Sequence, residues 1–306
     1  MIGAILEHVE PAGCHSGDSA SVTPPMSLSP EIMKQIRVYA REFAAALHVN
    51  GLMNMQLAVK DGKIYMIEVN PRASRTIPFV SKAIGVYLAG LAALCMTGHK
   101  LAELGFTREV VLPYTAVKEA VFPFVKFPGV DIVLTPEMKS TGEVMSFGHD
   151  AATAYYKSQA AAGSPLPHPG QGVIVLCVRD EDKGDVVELA KRLDAMGYEI
   201  WATRGTSTAL WRAGVESNAL YKIPLGSPNT IDLIKRGKVK WIVNTREDGE
   251  SAAHDSVKIR AAAVAAGVPV TTKLAGFAEA VRGLEAIRRG TDAAPLSLQE
   301  WHASAI

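Results

Sequence analysis

The composition of this chain is that of a folded, nearly neutral protein. Its 306 residues are 48% hydrophobic and 21% charged, and 32 lysines and arginines against 31 aspartates and glutamates leave a net charge of +1. A chain this apolar is not intrinsically disordered, and its near-neutrality removes the bulk electrostatic attraction to nucleic acid or to an anionic membrane. The length favours roughly two domains.

The cysteines and the lack of a long apolar run predict the compartment. Cys14, Cys95 and Cys177 are widely spaced and odd in number, which fits reduced thiols and not a disulfide framework. No stretch reaches the ~18 consecutive apolar residues of a membrane span, and the N-terminus lacks the features of a signal peptide. We expect a cytoplasmic protein with no nucleic-acid or membrane partner. An apolar run at residues 2–9 follows the first codon directly, so we interpret the chain as cut in mid-fold.

The first part of the chain, residues 1–98, predicts two helices around a hairpin. Ser29 and Pro30 predict a helix start, as N-cap and first helical residue. Apolar residues then recur with a period near 3.6, at Ile32, Ile36, Ala40, Phe43 and Leu47. A second helix, rich in alanine, leucine and valine, is predicted from about Ser81 to Met96.

The rest of the chain divides at a linker. Residues 99–165 predict short strands and turns packed against the first part, and the Gly- and Pro-rich stretch 160–172 predicts a linker. From 166 to 306, apolar runs alternate with helical patterns, which predicts a doubly wound parallel sheet. The predicted elements there are strand 173–178, helix 182–196, strand 198–203, a short helix ending at Gly214, strand 241–245, helix 254–266, strand 268–272 and helix 274–288.

The most informative segment is residues 54–76, where the Asp61-Gly62 pair predicts a hairpin turn. Glu68 and Asn70 are two residues apart and therefore project from one face of the second strand. Gln56 joins that face only through a three-residue or bulged connection, because a plain two-residue turn puts it on the opposite face. Together the three side chains offer a carboxylate and two amide oxygens, a set suited to Mg²⁺ that carries phosphates.

Two arginines follow this face at once. Guanidinium groups such as those of Arg72 and Arg75 are natural partners of phosphoryl or carboxylate oxygens. An ordinary hairpin with a polar end and solvated arginines explains the same spacing, so the residues alone leave both interpretations open.

Five stretches of sequence carry a family resemblance: HSGDSA, EVNPRASRT after the hairpin, PFVSKAIGV, KFPGVD and PEMKSTGEVM. Together they resemble the second ATP-grasp unit of the carbamoyl-phosphate synthetase large chain, and the resemblance covers essentially the whole sequence. It implies an α/β protein in which the C-terminal half of an ATP-grasp domain precedes a doubly wound parallel-sheet domain of the methylglyoxal-synthase type. The implied divisions are 1–98 for ATP-grasp, 99–165 for a connecting segment and 166–306 for the regulatory domain.

The resemblance implies a ligase that phosphorylates carbamate with ATP and Mg²⁺ or Mn²⁺, in arginine and pyrimidine biosynthesis. It implies that Arg72 and Arg75 are catalytic and face the transferred phosphoryl group and its acceptor. The residues that match the family's metal ligands are Gln56, Glu68 and Asn70. The residues that match its ATP-binding positions are Gly13, Cys14, His15, Ser16, Gln56 and Glu68. Without the resemblance, His15 is interpreted as a plain loop histidine.

The earlier ATP-grasp subdomain, with its glycine-rich phosphate loop, has no counterpart in this sequence. We therefore expect a truncated chain that is inactive alone. The implied partners are the remainder of the large chain and a glutamine-amidotransferase small subunit. The alternative is a stand-alone module that senses a nucleotide monophosphate on a degenerate ATP-grasp scaffold.

Polar residues at predicted strand ends form a candidate phosphate pocket in the last part of the chain. They are Lys183, Thr203, Thr206, Lys222 and Asn244, and they match the family's allosteric site for nucleotide monophosphates. Individually, residues of these types are more often solvated loop residues than ligands of a phosphate. Cys177 and Arg246 depart from the family's pocket. No acid follows the segment 224–226, where methylglyoxal synthases carry their catalytic aspartate, so this domain is predicted to be regulatory.

A second effector site is implied by the resemblance. The positions that match an ornithine site are Glu10, Asp18 and Glu119, with Leu134 and Thr271-Thr272 nearby. Three acids suit an amino-acid cation, whereas Val270 replaces an aromatic residue usual in the family. The sequence leaves open whether the effector is uridine monophosphate, inosine monophosphate, ornithine or none.

Overall fold

A computed structural model describes residues 1–127, 131–245, 250–291 and 294–304. The strands are β1 Glu7–His8, β2 Ser21–Thr23, β3 Asn54–Lys60, β4 Lys63–Asn70, β5 Thr115–Val121, β6 Gly142–Gly148, β7 Val173–Cys177, β8 Glu199–Thr203, β9 Asn218–Leu220, β10 Val239–Asn244 and β11 Val270–Thr271. The helices are α1 Pro30–Ala46, α2 Thr76–Ile84, α3 Leu88–Met96, α4 Ala151–Ala161, α5 Lys183–Ala195, α6 Arg204–Arg212, α7 Thr230–Lys235, α8 Glu250–Ala265, α9 Leu274–Arg288 and α10 Leu298–Ala303.

The first sheet is antiparallel, and among the described strands its order is β1-β2-β5-β6. Strand β5 lies inside this sheet, between β2 and β6, and its central residues are buried. Residues 99–165 therefore complete a sheet that residues 1–98 begin. The hairpin β3–β4 forms a separate two-stranded sheet beside it.

The predicted start of the first helix is confirmed, because the Ser29 side chain accepts a hydrogen bond from the Ile32 N–H (3.3 Å). The single second helix predicted at Ser81–Met96 is wrong. Two helices, α2 and α3, occupy this region, because Gly85 adopts a left-handed conformation (φ 69°) that ends α2. No single helix among the described residues is long and apolar enough to cross a membrane; α2 and α3 meet that composition only together, bent by 110°.

Helix α4 was not predicted from the sequence, and it connects the two parts of the protein. Asp150 caps it by accepting a hydrogen bond from the Thr153 N–H (2.7 Å), and the Ser146 hydroxyl of β6 donates to the Ala154 carbonyl (2.6 Å). Ala154 and Tyr155 belong to the same apolar core as the inward face of α9. The helix is therefore shared between the first sheet and the C-terminal layers.

The second sheet is parallel, and its described strands run in the order β11-β10-β7-β8-β9. The apolar run at β7 is buried throughout, as predicted. Alternate residues of β7 contribute to two apolar cores: Ile174 and Leu176 pack with α5 and α9, whereas Val175 packs with α7 and α8. Helices thus cover both faces, which confirms the doubly wound parallel arrangement.

The last helix returns to the first part of the chain. Trp301 of α10 is buried (3% exposed) and packs on Tyr114 and Phe147, with ring centroids 5.5 and 5.7 Å apart. The His302 ring contacts the Lys82 carbonyl at the end of α2 (Nε2 to O, 2.7 Å). Helix α10 is therefore part of the core that supports α2.

Candidate functional site

The hairpin β3–β4 has a two-residue turn and a bulge. Lys60 pairs with Lys63 across Asp61-Gly62, and a register shift further along inserts Ile67 into β4. Beyond the bulge, Gln56 lies directly opposite Glu68. Without the extra residue, Gln56 would face Ile67 and the carboxylate would point to the other side of the hairpin. The bulged connection that the sequence requires is thus confirmed.

The oxygen-bearing side chains of β4 contact one another. Asn70 Nδ2 donates to Glu68 Oε1 (2.9 Å), and Arg72 Nη2 donates to Asn70 Oδ1 (3.4 Å). Asn54 lies opposite Asn70, on the same face as Gln56. Glu68 and Arg72 are exposed, so this polar face is open to a ligand.

The loop of residues 13–19 lies against a second segment, residues 131–140. Gly13 has a φ of 110°, a left-handed conformation that favours glycine. The His15 N–H donates to the Thr135 carbonyl (2.9 Å), and the His15 ring accepts a hydrogen bond at Nδ1 from the Gly17 N–H (3.0 Å). Burial raises the pKa of the Cys14 thiol, so this cysteine is held neutral.

Two charged groups inside the protein fix this loop. Asp18 accepts from the backbone N–H groups of Lys139 (2.7 Å) and Ser140 (2.9 Å), and buried Lys118 donates to the Ser19 carbonyl (3.0 Å). Arg75, at the start of α2, donates to the Ser140 hydroxyl (3.5 Å). Segment 131–140 therefore touches both the loop and one of the two predicted catalytic arginines.

A groove of about 1030 Å³ joins the loop to the hairpin. Cys14, Ser16 and Gln56 all line it, and so does Thr76 at the start of α2. The groove therefore brings together three of the residues that the sequence assigns to ATP binding. Arg72 and Arg75 are not among its lining residues; they lie beyond the hairpin end, on the exposed side.

Three of the predicted phosphate-pocket residues meet at the carboxyl edge of the second sheet. Thr203 and Thr206 are in hydrogen-bond contact (Oγ1 to Oγ1, 3.2 Å), and a side chain at Gly205 would meet Lys183 Nζ at 2.9 Å. Lys183 is the first residue of α5 and lies within the helix predicted at 182–196, because the chain turns into a helix directly after Asp182. Its ammonium group pairs with Asp180 (2.5 Å).

The other two predicted members of this pocket are Lys222 and Asn244. After Lys183 itself, the charge of Lys222 also lowers the pKa of Asp180, so Lys222 lies near this cluster. Lys222 is exposed beyond β9. Asn244 ends β10 and is buried: its Nδ2 donates to the Cys177 carbonyl (3.3 Å), and its Oδ1 accepts from Arg260 (2.7 Å). Arg246 lies outside the described residues. Since β7 separates β10 from β8, Asn244 and Thr203 are two strand spacings apart, about 10 Å.

The three acids of the second predicted effector site line one cavity of about 260 Å³ between the two sheets. Leu134, Thr271 and Thr272 line it as well. Burial raises the pKa of Glu10 to about 7 and that of Glu119 to about 8. Both oxygens of Asp18 accept backbone hydrogen bonds, whereas Glu119 accepts from the side chains of Ser158 and Gln159 (3.3 and 2.7 Å).

Comparison with known proteins identifies both halves of this structure. Residues 4–104 match the family model of the carbamoyl-phosphate synthase L chain, ATP binding domain, and residues 185–272 match that of the MGS-like domain. A carbamoyl phosphate synthase large chain from Methanosarcina barkeri is 46% identical over 302 residues, which are 99% of this chain and 75% of the relative. This chain belongs to the carbamoyl phosphate synthase large chain family.

Longer relatives have the same name and similar identity. The large chain of Halomonas eurihalina is 50% identical over 304 residues, and that of Archaeoglobus fulgidus is 50% identical over 303 residues. In each case the match covers 99% of this chain but 28% of the relative. The structure is thus that of a C-terminal region of the family, an ATP-grasp portion followed by an MGS-like domain.

The donor set of the hairpin fits a hard cation. Glu68 supplies a carboxylate, and Gln56, Asn70 and the unpredicted Asn54 add amide groups on the same face. Mg²⁺ is commonly held by one or two carboxylates together with substrate phosphates, so a single acid suffices. No group of three or more His, Cys, Asp or Glu residues arranged for a metal occurs in the described part of the chain. Alternation along β3 could have revealed Asn54, two residues before Gln56.

Proposed function

We propose that this chain forms the metal- and phosphoryl-binding side of a carbamate-phosphorylating site, and that it acts as part of a longer large chain. The observation that carries the proposal is the bulge at Ile67, which turns Gln56 toward Glu68 and Asn70. Bulges are common beside active sites, where they reorient a side chain, and this bulge aligns three oxygen donors beside two arginines. The preserved face also argues against a long-degenerate scaffold.

The chemistry of such a site is mostly electrostatic. Phosphoryl transfer from ATP spreads negative charge over the transferring group, and catalysis consists of positioning the reactants and neutralising that charge. Glu68, Gln56 and Asn70 would hold Mg²⁺ or Mn²⁺, which would bind the phosphates of ATP and neutralise part of that charge. Arg72 and Arg75, both exposed beside this face, would bind the transferred group and the carbamate.

Nucleotide binding is proposed for the groove. Cys14 and Ser16 line one side of it and Gln56 lines another, and Gly13 and His15 belong to the same loop as Cys14 and Ser16. Because the Halomonas eurihalina and Archaeoglobus fulgidus relatives are more than three times as long, the remainder of the large chain would complete this clamp, and a glutamine-amidotransferase small subunit would supply ammonia. In that setting the protein would act in the cytoplasm in arginine and pyrimidine biosynthesis, and the isolated chain would be inactive.

The C-terminal domain is proposed to be regulatory. Lys183, Thr203, Thr206 and the Gly205 backbone would bind the phosphate of a nucleotide monophosphate, with Lys222 at the rim. Asn244, about 10 Å away across two strand spacings, would reach the other end of the ligand. Glu10, Asp18 and Glu119 would bind an amino-acid cation such as ornithine in the inter-sheet cavity.

A chimeric large chain tests the catalytic proposal. This sequence would replace the matching 28% of the Halomonas eurihalina protein, and carbamoyl phosphate formation would be measured with its small subunit. We expect an active chimera that loses at least about a hundredfold of its rate in Glu68→Gln and Arg75→Ala, the scale of removing one group that stabilises transition-state charge. Glu188→Gln, an exposed acid on α5, is the matched control and should retain the rate.

Two results would contradict the proposal. One is a folded chimera whose rate is unaffected by Glu68→Gln. The other is an inactive chimera together with binding of uridine or inosine monophosphate by the isolated chain. This result would favour the stand-alone sensing module.

A further inference from the structure

The buried guanidinium group of Arg260 connects the end of β10 with segment 131–140, two regions far apart in the sequence. Arg260 lies on α8 and is 3% exposed. Its Nε and Nη2 donate to the two carboxylate oxygens of Asp131, each at 2.7 Å, and its Nη1 donates to Asn244 Oδ1, also at 2.7 Å. One cation thus holds the end of β10 and the start of segment 131–140 at the same time.

Asp131 is held in its charged form by this contact. Burial alone would raise its pKa, but the hydrogen bonds and the charge of Arg260 outweigh burial and hold the pKa of the carboxyl below its ordinary range. A bidentate arginine–carboxylate pair is also geometrically specific, because two parallel hydrogen bonds fix the relative orientation of both groups. A change in the orientation of Arg260 therefore changes the position of Asp131.

Segment 131–140 contacts the loop of residues 13–19, Arg75 and the inter-sheet cavity. Lys139 Nζ donates to the carbonyls of Asp131 (3.1 Å) and Val133 (2.7 Å), which closes the segment into a compact loop. The far end of this loop is held by Asp18 through the Lys139 and Ser140 amides. Ser140 contacts Arg75, and Leu134 lines the inter-sheet cavity.

We propose that Arg260 is the positioning residue through which the carboxyl edge of the C-terminal sheet acts on segment 131–140, and so on the cavity wall and on the surroundings of Arg75. This inference rests on the proposed effector role of that edge. A ligand that binds the amide group of Asn244 competes with Arg260 for Oδ1 or reorients the side chain. The guanidinium then shifts its hold on Asp131. By reciprocity, a ligand in the cavity that moves the segment alters the affinity of the edge for its own ligand.

Backbone amide exchange on the full chain, without any ligand, tests this connection. The reporters are the N–H groups of Val133, Lys139 and Ser140, which donate to carboxylates of Asp131 and Asp18. In Asn244→Ala, Arg260 loses its third acceptor, and we expect these amides to exchange about tenfold faster, the factor that about 1.4 kcal/mol produces. Amides of β7 are the internal reference for any loss of global stability.

Two matched variants separate positioning from simple packing. Asn244→Asp keeps an oxygen acceptor for Arg260 but loses the donor to the Cys177 carbonyl (3.3 Å), and its segment should exchange more slowly than that of Asn244→Ala. Thr245→Val removes the neighbouring hydroxyl, which accepts from the Arg179 N–H (3.0 Å) and not from Arg260, and should leave the segment unchanged. Equal acceleration in Asn244→Ala and Thr245→Val, or no acceleration in either, would overturn the proposal.

The reverse direction gives a spectroscopic signature. Asp131→Asn weakens the hold on one side of Arg260 and should shift the Asn244 side-chain amide resonances in a nitrogen–proton correlation spectrum. Glu285→Gln is the control, because it weakens a similar bidentate pair with Arg192 (2.6 Å) that joins α5 to α9. An unmoved Asn244 resonance in Asp131→Asn would contradict the coupling. No nucleotide is used in these experiments. If the effector proposal alone failed, the chain would not bind nucleotide, but Asn244→Ala would still accelerate exchange in segment 131–140.

Discussion

Glu10 and Glu119 line one cavity between the two sheets, and burial raises the pKa of both carboxyls, to about 7 and about 8. The charge of Glu10 adds to the effect on Glu119. Lys118 and Lys273 oppose the shift of Glu10, yet burial outweighs them. At neutral pH the folded protein therefore keeps protons on this pair that the unfolded chain has already released.

The first prediction is that the free energy of unfolding falls as the pH rises from 6.5 to 8. Since both pKa values are raised from an ordinary 4.5, the associated stability is present at low pH and is lost as the pH rises through about 7 and 8. The expected loss is about 1.4 kcal/mol per pH unit for each proton retained. Urea unfolding at pH 6.5, 7.25 and 8 measures it.

Glu119→Gln is the control for this prediction, and its stability should depend less steeply on pH. The measurements begin at pH 6.5 because His8 has the opposite effect on the free energy of unfolding at lower pH. Burial lowers the pKa of His8 to about 4, so stability from this group is lost as the pH falls below 6.5. Parallel pH profiles for the wild type and Glu119→Gln would show that the pair is already ionised.

The second prediction concerns proton release on cation binding. An ammonium group in the cavity favours charged carboxylates, so its binding lowers the pKa of Glu10 and Glu119 and expels protons between pH 6.5 and 8. Ornithine should therefore bind more tightly at pH 8 than at pH 6.5. Calorimetric titration in two buffers of different ionisation enthalpy measures the protons released. Norvaline, which lacks the side-chain ammonium, is the matched ligand and should release fewer protons; equal release would contradict the role of the carboxyl pair.

Local rules predicted most of the elements of the second sheet and the shared face of Gln56, Glu68 and Asn70 on the hairpin. The buried run of β7, the glycine after α5 and the N-cap of α1 each follow from a few neighbouring residues. For Gln56 to join the face of Glu68, the sequence required a three-residue or bulged connection, and the structure has the bulge, at Ile67. The break at Gly85 was missed because apolar residues flank it on both sides, at Ala83, Ile84 and Val86, so no change of period marks the end of α2.

The connection through Arg260 could not be predicted, because it depends on contacts between distant parts of the chain. Nothing near Asp131 in the sequence indicates a partner on α8, and Asn244 was expected to face only a ligand. The pairing of β5 with β2 is another tertiary effect. The sequence of β5 predicts a short strand, but it does not indicate that β2 is the neighbouring strand. Tertiary context therefore decided how the two parts of the protein join.

The third prediction is that two substitutions at the carboxyl edge of the second sheet change nucleotide affinity in opposite directions. Lys183→Ala should weaken binding of uridine or inosine monophosphate by about tenfold or more, because a charge-assisted hydrogen bond to phosphate is lost. Asp180→Asn should tighten it, because the exposed Asp180 carboxylate pairs with the Lys183 ammonium and competes with the ligand. Calorimetric titration of the full chain compares the three proteins. Weaker binding in both variants would show that the pair acts as a structural unit and not as a phosphate site.

The fourth prediction concerns the support of α2 by the end of the chain. Trp301 is buried against Tyr114 and Phe147, in the same core as Phe79 and Val80 of α2. Trp301→Ala should lower the free energy of unfolding by about 3–5 kcal/mol, the cost of removing a large buried aromatic side chain. Trp211 is 77% exposed on α6, so Trp211→Ala should change it by less than about 0.5 kcal/mol.

Urea unfolding followed by circular dichroism measures both tryptophan variants. The amides of α2 should also exchange faster in Trp301→Ala than in Trp211→Ala, because α10 covers one side of that helix. If the two variants unfolded at the same urea concentration, α10 would be a loosely attached tail. A selective loss in Trp301→Ala would instead show that the C-terminal helix stabilises α2, the helix that begins directly after Arg75.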